Sequence, residues 1–290
     1  MRERIRRLLA PVLGAAVTAG ALVAAASPAA AAVPGHQLVN ANSATVSSDF
    51  KSVTATCPAG KVLIGTGHRI SGASGEVAID DLRPNGSTTT APTAVTVGAY
   101  ETDGFAGSWT LHAEAICANV AGAVRVSATG PSNSDDSHLT RVNCPAGKTL
   151  SGTGYEMVGA VGDAAVDILA FSLGSPTTQA EVLVRAFEVN PFAGNWTLTA
   201  YGICTNPLPG LELVLSSSTA DDSVSPKTAT AFCPSGKVTT GGGFVFVGGG
   251  GDVVLDDLNP TIGTVKLLAA EEDPFAGTWS LTSYAACATA

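Results

Sequence analysis

The residues best suited to bind a ligand occur three times, each time just before the sequence Phe-Ala-Gly-x-Trp. Each copy has a glutamate, then Asp or Asn two residues later, then Gly or Pro; the six residues are Glu101, Asp103, Glu188, Asn190, Glu271 and Asp273. Exposed carboxylate and amide oxygens bind calcium or sugar hydroxyls, and three copies would bind multivalently. The same residues also favour ordinary turns, because Asp and Asn side chains hydrogen-bond the local backbone. We predict candidate ligand-binding loops, with calcium as the one cofactor considered.

A second set of recurring acids lies on predicted strands. The two members of each pair are four positions apart, and the pairs are Glu76/Asp80, Asp163/Asp167 and Asp252/Asp256. On a strand this spacing puts both carboxylates on one face but roughly 13 Å apart. That distance exceeds the separation of about 5–9.5 Å expected of a glycosidase pair. We therefore interpret these acids as a solvated strand face.

The remaining groups that could do catalysis form no recognisable set. None of the four histidines is repeated between the copies; they are His36, His68, His112 and His138. The sequence also lacks a G-x-S-x-G nucleophile motif and a phosphate-binding P-loop. We assign no catalytic residue and no metal-binding residue, and we expect a protein that is not an enzyme.

All six cysteines belong to a frame that occurs three times, opening with Cys-Pro-Ala/Ser-Gly-Lys and closing with a Cys eight residues after the Trp. Cysteines at repeated positions behind an export signal indicate disulfides. Metal thiolates are disfavoured, because there is no Cys-x-x-Cys spacing and no His beside any Cys. We predict one disulfide within each copy: Cys57–Cys117, Cys144–Cys204 and Cys233–Cys287.

Residues 1–32 have the pattern of a signal peptide: several arginines, an apolar stretch, and an Ala-x-Ala site before Val33. A membrane anchor is the alternative, although the Ala/Gly-rich stretch is weakly hydrophobic and Pro11 interrupts it. Removing the four arginines and one glutamate of this segment from 15 basic and 24 acidic residues leaves a net charge of −12. Nucleic acid and anionic membranes are therefore disfavoured partners. We expect a secreted, extracellular protein that contacts a polysaccharide or a cell-surface component, and its oligomeric state stays open.

Alternation of apolar and polar residues predicts strands throughout the chain. The clearest strand runs from Trp109 to Cys117 and places both on one face, with small residues near the cysteine. The other strands predicted for the first copy are Gln37–Val46, Ser52–Cys57, Val62–Ile70, Glu76–Leu82 and Ala94–Glu101. The predicted fold class is all-β, with three tandem antiparallel β-sandwich-like repeats of about 85 residues, at 33–120, 121–207 and 208–290. A single pseudo-threefold β-prism is the alternative.

Two motifs carry a resemblance to known proteins. Cys-Pro-Ala-Gly-Lys and the following Gly-x-Gly, together with the closing Trp and Cys, resemble the repeats of secreted actinobacterial proteins of poorly characterised function; the Gly-x-Gly segments are Gly65–Gly67, Gly152–Gly154 and Gly241–Gly243. The resemblance implies export and β-structure and gives no active-site residues. In repeat number the chain is also similar to the threefold β-prism of vitelline membrane outer layer protein, an analogy of architecture alone.

These observations favour a secreted, non-enzymatic β-repeat protein. It would bind carbohydrate or another cell-envelope component, or act as a structural or surface protein. The alternative is a secreted hydrolase or enzyme inhibitor.

Overall fold

The computed structural model describes residues 33–174 and 179–290, so the predicted signal peptide, residues 1–32, lies outside the described residues. Within the described ranges, no helix is long and apolar enough to cross a membrane. The strands are β1 Gln37–Asn42, β2 Phe50–Thr56, β3 Val62–Ser71, β4 Val77–Pro84, β5 Ala94–Glu101, β6 Thr110–Ala118, β7 Val124–Thr129, β8 Ser137–Asn143, β9 Thr149–Val158, β10 Ala164–Ser172, β11 Glu181–Glu188, β12 Thr197–Thr205, β13 Glu212–Leu215, β14 Lys227–Phe232, β15 Lys237–Val247, β16 Val253–Pro260, β17 Thr264–Glu271 and β18 Ser280–Thr289.

The strands form three six-stranded antiparallel sheets, and each sheet takes three strands from one repeat and three from another. Repeat 1 contains β1–β6, repeat 2 contains β7–β12 and repeat 3 contains β13–β18. We name each sheet by its two repeats. The 1–3 sheet has the order β1-β6-β3-β16-β17-β14, the 2–3 sheet β13-β18-β15-β10-β11-β8, and the 1–2 sheet β2-β5-β4-β9-β12-β7. The predicted all-β class with three antiparallel repeats is confirmed.

Each repeat supplies one three-stranded layer to each of two sheets, and its disulfide joins those layers. In repeat 1, Cys57 follows β2 of the 1–2 sheet, whereas Cys117 lies in β6 of the 1–3 sheet. This two-layered unit matches the sandwich-like repeat expected from the sequence. Both layers continue into neighbouring repeats, so the whole molecule also has the cyclic arrangement of the prism alternative. One hydrophobic cluster contains buried residues of all three repeats, including the three tryptophans.

The period-two pattern of the closing strand produces the core of each repeat. Trp109 and the alternating apolar residues that follow it, through Cys117, are all fully buried. The three predicted disulfides are confirmed, with Cα–Cα separations of 5.6, 5.8 and 5.6 Å. These values fall within the range of about 4.4–6.8 Å that a disulfide requires. The small residues beside each cysteine therefore allow the two layers to approach.

The first glycine of each Gly-x-Gly segment allows the repeats to meet. A Cβ on Gly65 would lie 2.0 Å from the carbonyl oxygen of Thr240, and a Cβ on Gly152 would lie 2.5 Å from that of Ile64. The third contact closes the cycle, because a Cβ on Gly241 would lie 2.2 Å from a carbonyl oxygen of repeat 2. Each repeat thus presses a backbone carbonyl against a glycine of the next repeat, and only glycine fits there.

The interpretation of the second set of acids as a solvated face is wrong for Asp80, Asp167 and Asp256, which are all buried. Each lies where the strand register shifts by one residue. Such a β-bulge adds an unpaired residue and interrupts the period-two alternation. Asp256 consequently points at the β3–β4 turn of repeat 1, where its Oδ1 accepts a hydrogen bond from Gly75 N at 3.1 Å. Asp80 likewise accepts a hydrogen bond from Gly162 N of repeat 2 at 3.3 Å, whereas Asp167 is bound by Arg185 of its own repeat.

Candidate functional site

The three glutamates of the predicted ligand-binding loops are held by their own loops. Glu101 Oε1 accepts a hydrogen bond from the indole nitrogen of Trp109 at 2.8 Å. Glu271 makes the same contact with the tryptophan of repeat 3 at 3.0 Å. Glu188 Oε2 instead accepts a hydrogen bond from the backbone nitrogen of Phe192 at 3.1 Å. The glutamates therefore position the tryptophans and the Phe-Ala-Gly turns.

The other candidate residues of these loops come together at one end of the molecule. Asn190 Nδ2 donates to the carbonyl oxygen of Thr102 at 3.3 Å, which connects the loops of repeats 2 and 1. Carboxylate oxygens of Asp103, Glu272 and Asp273 lie within 4.8 Å of one another, which connects the loops of repeats 1 and 3. The three copies thus form one convergent end, whereas the sequence suggested three separate sites.

Glu272 is a member of this acidic group that sequence reasoning missed, although it stands beside Glu271. Burial, and then the negative charges of Asp103 and Asp273, raise the pKa of Glu272 to about 7. Carboxylates at this spacing can share a calcium ion, since each offers one oxygen. Calcium binding stays a prediction for this end of the molecule.

A groove of about 590 Å³ lies between β13, an edge of the 2–3 sheet, and β14, an edge of the 1–3 sheet. The strand β13 has four residues, whereas its counterparts β1 and β7 have six. The segment after β13 therefore continues along the groove without being a strand. The groove is lined by Val214, Leu215, Ser216, Ser217, Ser218, Thr219, Thr228, Ala229, Thr230 and Phe232.

Phe232 is the most unusual residue in the groove, because its side chain is 66 % exposed. It immediately precedes the first cysteine of repeat 3, where repeats 1 and 2 have Thr56 and Asn143. The hydroxyls of Ser217, Thr228 and Thr230 also line the groove and make no hydrogen bond within the part of the chain that the structure describes. The groove therefore offers an open aromatic ring beside hydroxyls that are free to bind. The sequence shows that repeat 3 alone has an aromatic residue before its first cysteine, but it does not show that Phe232 lies in a groove.

A polar cluster lies on the outer face of the 1–3 sheet, where repeat 1 meets repeat 3. Its members are Arg69 on β3, His112 and Glu114 on β6, and Asp257 on β16. Glu114 and Asp257 are only 4 % and 7 % exposed, and burial raises the pKa of Glu114 to about 7 and that of Asp257 to about 6. The positive charge of Arg69, whose Nε lies 3.8 Å from Glu114 Oε1, opposes both increases. Sequence reasoning missed this cluster because its residues come from three distant strands.

The tryptophans of repeats 1 and 3 rest on buried lysines. Lys51 Nζ lies 4.4 Å from the centroid of the Trp109 ring and donates to three backbone carbonyls, including that of Trp109 at 2.9 Å. Lys227 makes the equivalent contacts in repeat 3. Repeat 2 has His138 at this position, with its ring centroid 3.8 Å from that of Trp196. Lys51 and Lys227 therefore support the tryptophans. The sequence does not show this role as a repeated feature, because repeat 2 has a histidine at the same position.

No protein-family model and no curated protein matches the chain. The choice between the candidate surfaces therefore depends on their own geometry. The groove of repeat 3 has an exposed aromatic ring, and the polar cluster on the 1–3 sheet has the partly exposed Arg69.

Proposed function

We propose that this is an extracellular, non-enzymatic protein that binds carbohydrate in the groove between β13 and β14. The observation that carries the proposal is the exposed ring of Phe232 beside the free hydroxyls of Ser217, Thr228 and Thr230. A sugar has apolar C–H faces that pack on an aromatic ring, and hydroxyls that both donate and accept hydrogen bonds. The groove combines a partner for each of these features.

The charge and covalent structure of the protein support this choice of ligand and location. Three disulfides are typical of proteins in an oxidising compartment outside the cytosol. The acidic balance of the sequence disfavours polyanionic polysaccharides through like-charge repulsion. A neutral polysaccharide of the cell envelope or extracellular matrix is therefore the proposed ligand.

The test is retention of the purified protein, without residues 1–32, on insoluble chitin, cellulose and bacterial cell walls. The variant Phe232→Thr introduces the residue that repeat 1 has at the same position. We expect it to bind about tenfold more weakly, because the sugar loses its apolar partner. Phe50→Thr is the matched control, since Phe50 is 44 % exposed but lies on β2 of repeat 1. This control should be retained like the parent protein.

Two outcomes would contradict the proposal. If the parent protein is retained on none of these materials, or if Phe232→Thr is retained equally well, the groove is not a carbohydrate site. Release of reducing ends from a retained polysaccharide would contradict the non-enzymatic part and favour the hydrolase alternative.

A further inference from the structure

The groove of repeat 3 is continuous with a row of side chains that crosses the outer face of the 1–3 sheet. Residues paired directly across antiparallel strands share one face. Starting from a residue that lines the groove, successive pairs run across all six strands of the sheet: Thr228, Leu268, Asp257, Arg69, His112 and Asn42. With strands about 4.8 Å apart, the row is about 24 Å long. A long ligand bound in the groove could therefore also contact the side chains of this row across the sheet.

The centre of this row, together with Glu114 two residues from His112 on β6, has polar atoms without hydrogen-bond partners. Within the described residues, Glu114 Oε2, Asp257 Oδ1 and Arg69 Nε are buried and make no hydrogen bond. An unpaired buried donor or acceptor costs about 1–3 kcal/mol, so a ligand that satisfies these groups gains free energy. Two free acceptors beside one free donor match the hydroxyls of a sugar, since each hydroxyl can donate and accept. The side chain of Arg69 is 36 % exposed and that of Glu114 only 6 %, so a ligand meets Arg69 first.

The other two sheets do not have such a centre at the corresponding positions of their described residues. In the 1–2 sheet the paired positions are Asp81 and Glu156, and Glu156 is already bound by Arg83 at 3.0 Å and by the hydroxyl of Tyr201. In the 2–3 sheet the corresponding positions are apolar, with Ile168 paired to Val245. The free polar centre therefore belongs to the 1–3 sheet, one of the two sheets that border the groove.

We propose that the groove and this row form one extended site, in which a linear neutral polysaccharide lies across the strands of the 1–3 sheet. One sugar packs on Phe232, and a sugar further along the chain binds Arg69, Glu114 and Asp257. This inference rests on the proposed function and adds the length and direction of the ligand.

The test is calorimetric titration with cello-, laminari- and chito-oligosaccharides, from disaccharide to octasaccharide. The key variant combines Arg69→Val, Glu114→Tyr and Asp257→Ile, which copies the residues at these positions in the 2–3 sheet, Val245, Tyr284 and Ile168. Because the same fold already accommodates that set, the variant should fold, and its thermal midpoint checks this. Glu114→Gln, which keeps the side-chain shape, is a second variant for the same measurement.

In the parent protein we expect affinity to rise with oligosaccharide length until the chain spans the row. The triple variant should bind short oligosaccharides like the parent and long ones about tenfold more weakly, whereas Phe232→Thr should weaken both. Equal binding of long oligosaccharides by the parent, the triple variant and Glu114→Gln would overturn the extended site and leave the groove intact. Failure of the parent to bind any oligosaccharide would overturn the proposed function as well.

Discussion

Repeats 1 and 3 hold their tryptophan against a buried lysine, whereas repeat 2 holds it against His138. A lysine ammonium satisfies several carbonyls at once and also attracts the face of the indole ring. The two ring nitrogens of His138 have no hydrogen-bond partner among the described residues. Repeat 2 therefore has the weakest support beneath its tryptophan.

We expect His138→Lys to increase the free energy of unfolding by about 1–2 kcal/mol near neutral pH, because the new ammonium can reach equivalent carbonyls. The gain should be larger in acid. Burial lowers the pKa of His138 below its usual 6.5, so protonation below that pH favours the unfolded chain and stability falls. The lysine variant does not titrate in this range. Urea denaturation at neutral pH and at roughly pH 5 measures both effects.

The reverse exchange, Lys51→His, is the control and should destabilise repeat 1 and introduce the same loss in acid. An unchanged free energy of unfolding in His138→Lys would show that repeat 2 does not offer its carbonyls as repeats 1 and 3 do.

The direction in which single side chains point was the hardest property to predict. The type of Glu101 and its place before a turn predict a ligand-binding residue, but its carboxylate accepts a hydrogen bond from the indole nitrogen of Trp109. Residue type limits what a side chain can bind, whereas its actual partner depends on the fold around it. Phe232 shows the same limit, since an aromatic residue near a cysteine is equally compatible with a core position.

Among the elements, the junctions between β3, β9 and β15 depend on the first glycine of each Gly-x-Gly segment. We expect Gly152→Ala to lower the free energy of unfolding by about 1–3 kcal/mol or more, because its Cβ would lie 2.5 Å from the Ile64 carbonyl oxygen and backbone must move. Chemical denaturation measures the change. Gly263→Ala is the control, since no atom lies within 4 Å of its added Cβ, and it should change stability little. A tolerated Gly152→Ala would show that the repeats are less tightly joined than described.

The strands themselves could largely be predicted from the alternation of residues. The prediction of Ala94–Glu101 is confirmed at both ends, and that of Val62–Ile70 is one residue short. The alternation fails where a bulge adds a residue, so it predicts the wrong face for Asp80 and Asp256. A local pattern gives the period of a strand but does not show where pairing with a distant strand will interrupt it.

In the molecule as a whole, every repeat completes two sheets that it shares with its neighbours. We expect repeat 2 alone, residues 121–207, to lack stable structure even with its disulfide formed. Its strands β9 and β10 would lose their pairing with β4 and β15 and expose buried apolar surface. Circular dichroism and thermal unfolding of this fragment, beside residues 33–290, measure the effect. Cooperative unfolding of the isolated fragment would instead show that repeat 2 is an independent domain.

The sequence does not distinguish three separate sandwiches from a prism in which the repeats share their sheets. The repeat and its disulfide follow from spacing within one copy, and they are the same in a separate sandwich and in a prism. The difference lies in three short strand pairings between repeats, such as that of β3 with β16, where Arg69 pairs with Asp257, a residue of a different repeat. The alternation of residues within one strand does not predict such a pairing. The polar row depends on the pairing of β3 with β16, so the sequence does not predict it, whereas the groove lies within repeat 3, between β13 and β14.

The cyclic contact between the first and last repeats also brings distant parts of the chain together. The backbone nitrogen of Val33 donates to the carbonyl oxygen of Thr289 at 2.8 Å. Because the ring is closed, no repeat is first or last in space, and joining residue 289 to residue 33 while opening a link between repeats would give a circular permutant with the same contacts. The closure also fixes the copy number, since each pairing between repeats, β3 with β16, β4 with β9 and β10 with β15, already has its partner. Open repeat arrays can gain further repeats by duplication, whereas this closed ring of three repeats cannot.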